Sequence, residues 1–162
     1  MFVQFTYLFF LGKRGHYPIL IKEGETRRMT VTIYSQASCS SSRKAVKWLE
    51  ENNIDYKEKR ITYYPLTLAE FKNILSMTEN GTDEIIATNS KDFKSLTNKI
   101  DQLSIQELYA IIQTNPRLLR SPILIDEKRI QVGYNEMDIR RFIPRKVRAY
   151  ELNLMTKLAQ EF

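Results

Sequence analysis

The chain has 162 residues, 43% hydrophobic, 11% aromatic and 27% charged, a balance suited to a folded soluble domain and unlike that of a disordered chain. Twenty-five Lys and Arg against 19 Asp and Glu leave a formal charge of +6, which permits an acidic partner without requiring one. One cysteine, Cys39, and one histidine, His16, exclude an internal disulfide, a Cys-rich metal site and a multi-histidine cluster; a lone thiol also suits a reducing cytoplasm.

Met1 to Leu11 is apolar but far short of the roughly 20 residues a spanning helix needs, and Gln4 and Thr6 interrupt it. Lys13 and Arg14 follow the apolar run, whereas a secretory signal places its positive charge in front. Met29 opens directly onto strand-like sequence, so residues 1–28 are expected to be a non-native or disordered extension upstream of the true initiator. Thr30 to Tyr34 alternates polar and apolar residues and predicts a strand. Ser35 to Ser42 is a polar turn. Arg43 to Glu51 spaces Ala45, Trp48 and Leu49 as a helix that Asn52 and Asn53 end. Ile54 to Tyr63 predicts a second strand.

Thr67-Leu68-Ala69-Glu70 is a capping box, predicting a helix from Leu68 to about Met77. Asn80-Gly81 marks a turn, and short helices are expected over Thr82–Thr88 and Asp92–Leu96. Ser104-Ile105-Gln106-Glu107 is a second capping box, whose helix shows Ile105, Leu108, Ile111 and Ile112 on one face and ends before Pro116. Residues 65–118 therefore read as a helical insert. Ile123-Leu124-Ile125 and Arg129 to Val132 predict a hairpin that Gly133 breaks. Asn135 is expected to cap a last core helix through Phe142. Arg140 to Arg148 is a basic run (Arg140, Arg141, Arg145, Lys146, Arg148) without an acid, readable as a phosphate-facing surface or as a solvated face. Residues 151–162 form a helical tail.

Cys39 lies where the first strand turns into the first helix. Backbone N–H groups and the helix dipole there favour thiolate over thiol. Ser40, Ser41 and Ser42 add donors and Arg43 a cation. Position alone is equally compatible with an inert cysteine packed as a small hydrophobe.

The stretches SCSSSRKAVKWLEENNI, MTENGTDEII, QELYAIIQTNPRLLRSPILIDEKRIQVGYNE and IRRFIPRKVR closely resemble the Spx regulators of Firmicutes, in the arsenate-reductase-like branch of the thioredoxin fold. The resemblance runs from Met29 to about Tyr150. It implies a single α/β domain: a thioredoxin-like mixed sheet with an inserted helical lobe and a cis bond before Pro122. It implies a cytoplasmic, stress-related, non-enzymatic transcriptional regulator without cofactor or metal, which binds the carboxy-terminal domain of the RNA polymerase α subunit. Gly81 would lie at that contact, with Asn80, Asp83 and Arg120 beside it, because a glycine there can take a positive φ and let a partner approach. Promoter DNA would be met only within the polymerase complex, by Arg140, Arg141, Arg145, Lys146 and Arg148. The ClpXP protease with an adaptor is a further implied partner, although Gln160-Glu161-Phe162 differs from the small-residue tail which that protease reads. No membrane is implied.

The chain departs from this family at instructive places. The usual Cys-x-x-Cys is Cys39-Ser40-Ser41-Ser42, so a disulfide switch is absent and sulfenic acid or a mixed disulfide is the chemistry left to the thiol. Arg-Ser-Lys is Asn89-Ser90-Lys91, and Arg-Arg-Pro is Arg120-Ser121-Pro122. Cys39 to Arg43 also resembles the Cys-x-x-Ser-Arg of arsenate reductases that use one cysteine and external glutathione. Those enzymes cradle the oxyanion with guanidinium groups where Asn89 and Ser121 now stand. They also place a histidine at the spacing of Ser35. A free-standing DNA-binding protein is a third reading, disfavoured by the lack of a helix-turn-helix, zinc finger or ribbon motif.

Overall fold

The computed structural model describes residues 30–90, 93 and 102–160 in full, and residues 5–12 and 15–22 as backbone. Where disorder was expected near the amino terminus, strands β1 (Phe5–Gly12) and β2 (Gly15–Lys22) pair antiparallel, from Phe5 opposite Lys22 to Gly12 opposite Gly15. Two runs rich in aromatic and β-branched residues, joined between glycines, account for that hairpin.

The central sheet contains β3 (Val31–Ser35), β4 (Tyr56–Arg60), β5 (Ile123–Ile125) and β6 (Ile130–Val132) in the order β4-β3-β5-β6. β4 lies parallel to β3, whereas β5 and β6 run antiparallel to their neighbours, so the sheet is mixed. Helix α1 (Ser40–Glu51) makes the crossover between the parallel pair. It starts earlier than its apolar spacing indicates, because Ser40 to Ser42 follow directly on Cys39 at the N-cap position. The second strand is shorter than expected at both ends. Asn53 adopts φ +50 and Ile54 N donates to Leu49 O, holding the chain against α1, while the Tyr63 and Tyr64 amides both turn back onto Arg60 O.

Both capping boxes are complete: Thr67 with Glu70 starts α2 (Leu68–Met77), and Ser104 with Glu107 starts α4 (Ile105–Thr114). Between them lies the four-residue α3 (Thr82–Ile85). The expected helix over Asp92–Leu96 falls largely outside the described residues. On α4, Leu108 and Ile112 are buried, but Ile105, in the first turn, is 51% exposed. The last core helix proves to be a 3-10 turn, Asp138–Phe142, whose N-cap is Met137 and not the expected Asn135; the Asn135 Oδ1 accepts from the amides of Met137 and Asp138 just ahead of it. Helix α5 (Arg145–Gln160) is continuous, so the expected boundary near Tyr150 falls inside it.

Side-chain alternation along the strands sorts the core onto two faces. Val31, Ile33 and Leu124 pack with Ala45, Trp48 and Leu49 of α1 and with Ile139, Phe142 and Val147. Tyr34, Ile123 and Ile125 face the other way, against Phe71, Ile74, Ile85, Leu108 and Ile112 of the insert. The insert thus forms a whole layer of the domain.

Glu70 ties that layer to the sheet edge. It accepts from Lys59 Nζ at 2.6 Å and from the Thr67 amide at 2.7 Å. Burial pushes its carboxyl up, but the hydrogen bonds from Lys59 and Thr67 outweigh this and hold it below the usual carboxylate range. A depressed carboxylate contributes stability above its unfolded pKa of about 4.3, and the contribution disappears as pH falls through the folded value. Glu70→Gln should therefore cost about 1 kcal/mol at pH 7 in urea unfolding and progressively less in acid. An equal loss at pH 7 and pH 3 would contradict this account.

Candidate functional site

Cys39 is half-buried at the N-cap of α1, with φ −78 and ψ 114. The thiol donates to the Ser121 carbonyl at 3.6 Å. Burial pushes its pKa up, but the Ser42 hydroxyl and amide, Ser121 and the Ser41 amide stabilise the thiolate more, and the net shift is downward. No guanidinium is among these causes; the donors are serines and backbone.

Ser42 is buried because it continues the stripe of α1 that holds Ala45 and Leu49. Its hydroxyl lies 3.0 Å from that of Ser121. Two departures from the family pattern, a serine for the second cysteine and a serine for the second arginine, thus meet in one hydrogen bond. The Ser121 hydroxyl also accepts from the Gln36 amide at 3.0 Å. The Ser121–Pro122 bond is cis. The Gln36 side chain donates to Pro116 O at 2.9 Å and Leu119 O at 2.7 Å. Sequence reasoning missed Gln36, since a polar residue in a polar turn gives no sign of carbonyls some 80 residues away. It also missed Glu58, which accepts from the Ser35 hydroxyl at 2.6 Å.

Gly81 sits elsewhere on the surface, as the N-cap of α3. Its φ of +60 and ψ of −129 form a backbone that L side chains rarely adopt, yet a Cβ there would meet nothing within 4 Å. The constraint is therefore conformational, and the space outside the turn is open. This glycine opens α3; the preceding helix has already ended at Met77. Glu84 reaches back to the turn, accepting from the Glu79 amide at 3.0 Å. Asn80 and Asp83 are exposed. Arg120, expected beside them as a partner contact, is exposed, but its Nε donates to Ile86 O at 3.0 Å.

The basic run is not one continuous stripe. Arg140 pairs with Glu151 at 2.9 Å, and Arg141 donates to Ile130 O at 2.8 Å while lying 3.9 Å from Asp138. Arg145, Lys146 and Arg148 occupy the first turn of α5 and are exposed. Acids distant in sequence or one turn away thus engage the first two arginines, which a linear reading of the run does not reveal. Among the described residues, no group of three or more His, Cys, Asp or Glu could hold a metal ion, and no helix is long and apolar enough to cross a membrane.

The pattern of the ArsC family matches residues 34–142, from the end of β3 through the 3-10 turn that closes the core. The Global transcriptional regulator Spx of Listeria innocua serovar 6a is 58% identical over 128 residues, 79% of this chain and 98% of that protein. An ArsC family related protein from Bacteroides fragilis has a solved structure that matches with a TM-score of 0.61 at 26% identity, over 71% of this chain and 98% of that one. A possible arsenate reductase from Streptococcus mutans matches with a TM-score of 0.58 at 25% identity, over 67% of this chain and 96% of that one. The chain belongs to the ArsC family and, within it, to the Spx transcriptional regulators.

The serine donors make a prediction for the thiol. Alkylation of Cys39 by iodoacetamide should show a pH midpoint below that of a free cysteine. Ser42→Ala should move the midpoint upward, because it removes a donor that favours the thiolate. An unchanged midpoint in that variant would refute the assignment.

Proposed function

We propose that this chain acts in the cytoplasm by docking the Gly81 turn onto the carboxy-terminal domain of the RNA polymerase α subunit, modulating promoter use without chemical turnover. One observation carries the reading. The Gly81 turn combines a backbone conformation that favours glycine with open space outside it, and it is the turn the Spx resemblance assigns to that contact. Asn80 and Asp83 flank it on the surface. Promoter DNA is met only within the polymerase complex. Arg145, Lys146 and Arg148 are exposed at the start of α5 and take that role, while Arg140 pairs with Glu151 and Arg141 donates to Ile130 O. Control runs through abundance; ClpXP with an adaptor is the route the Spx resemblance implies, and the tail Gln160-Glu161-Phe162 departs from the one that protease reads. With Cys39 as the sole cysteine, the intramolecular disulfide of the wider family has no counterpart.

The depressed Cys39 thiol favours a second reading, a single-cysteine arsenate reductase. Against it stands the composition of the turn. An arsenate oxyanion needs guanidinium partners to offset charge developing in the transition state, and Ser121 stands where the enzymes' resemblance puts an arginine.

Binding of purified α carboxy-terminal domain tests the first reading. Gly81→Ala and Gly81→Arg share the backbone strain, about 1–3 kcal/mol, so their difference isolates the approach of the partner. Gly81→Arg should lose at least about tenfold more affinity than Gly81→Ala; equal affinities would remove Gly81 from the interface. Cys39→Ser should leave promoter output under diamide nearly unchanged, whereas a large drop would show that the lone thiol senses oxidants.

A further inference from the structure

Helix α3 has four residues, too few to hold its own orientation in water. What aims it lies outside it. Arg120 N donates to Ile85 O at 2.7 Å, Ala87 N donates to Leu118 O at 2.7 Å, and Arg120 Nε donates to Ile86 O at 3.0 Å. Ile86 and Leu119 form an isolated antiparallel bridge, and both side chains are buried. The end of α3 is therefore laced to residues 118–120, and its start is Gly81.

Residues 116–121 are held from the opposite side by the turn that carries Cys39. Gln36 clasps Pro116 O and Leu119 O with its side-chain amide and reaches the Ser121 hydroxyl with its backbone. Ser42 joins the same hydroxyl from α1. One contiguous set of hydrogen bonds thus runs from the thiol turn, through 116–121, to the end of α3, whose own Ile86 N to Thr82 O bond leads back to the residue after Gly81.

We propose that Gln36 and Arg120 are positioning residues for the partner-binding turn. Residues 116–121 form a strut clamped by Gln36 and Ser42 at one side, and through it Arg120 sets the pose of α3. Arg120 acts on the partner by holding Ile86, with its charge playing no part in the contact. The inference deepens the α-subunit reading and rests on it for what binds at Gly81; the mechanical link itself does not depend on that reading. Coupling through a packed network of this kind commonly shifts affinity by about five-fold or more.

The test uses the full chain, with Gln36→Ala and Arg120→Lys compared with the unmodified protein. Two quantities are read: affinity for the α carboxy-terminal domain, and amide hydrogen exchange at Ala87 and Arg120 in the free protein. Arg120→Lys keeps the charge on an exposed side chain, so it preserves the fold while removing the Nε–H that donates to Ile86 O. Both variants should bind at least about five-fold more weakly and exchange faster at those two amides. Arg120→Lys binding like the unmodified protein would mean that charge makes the contact, and would overturn the proposal. Unchanged affinity and exchange in Gln36→Ala would overturn it as well. Should the unmodified chain not bind the α domain at all, the α-subunit reading falls and exchange alone decides: faster exchange at Ala87 in Gln36→Ala upholds the strut, and unchanged exchange refutes it.

Discussion

The hydroxyl of Ser121 is where three parts of the chain converge. The Gln36 amide, the Ser42 hydroxyl of α1 and the cis peptide leading into β5 all meet there. A buried hydroxyl such as that of Ser42 needs a partner, since an unsatisfied one costs about 1–3 kcal/mol. The core stripe of α1 forces Ser42 inward, and Ser121 satisfies it. This pair fixes the distance between the thiol turn and the segment before β5. That segment in turn meets the helical insert.

A serine at position 42 in place of the family's cysteine changes the chemistry of the turn. A hydroxyl can hydrogen-bond to the thiolate and to Ser121, but it cannot be oxidised into a disulfide. The turn of this Spx-group chain is therefore tied together by hydrogen bonds around a free thiol. The same donors lower the thiol pKa despite its partial burial. A depressed thiol pKa is thus a consequence of how the turn is tied together, and by itself it is no mark of catalysis.

Much of the fold was legible because its determinants are local. The β3 pattern, the two reciprocal capping boxes at Thr67 and Ser104 and the turn at Gly81 each depend on residues within a few positions. What could not be read depends on tertiary neighbours. Ile105 has the spacing of a core residue yet is exposed, since it stands in the first turn of α4, ahead of the buried Leu108 and Ile112. Asn135 signals a turn, but nothing in its sequence shows that the N-cap falls two residues later, at Met137, or distinguishes an α-helix from the tighter 3-10 turn that follows. The site shows the same division. Cys39, Ser42 and Gly81 stand out in the sequence, whereas Gln36 and the carbonyl held by Arg120 emerge only when residues 30 and more positions apart are brought together. The basic run misleads for the same reason, because Glu151 and Asp138 reach Arg140 and Arg141 from the next helix and the same turn.

We propose that the surfaces of this scaffold, and no reaction at Cys39, perform its task. A single paired measurement tests it: calorimetric titration of the full chain with purified α carboxy-terminal domain, run beside arsenate-dependent consumption of a thiol reductant by the same preparation. The account predicts saturable one-to-one binding together with thiol consumption no faster than in buffer. Catalytic, saturable consumption with arsenate and no heat of binding would contradict it.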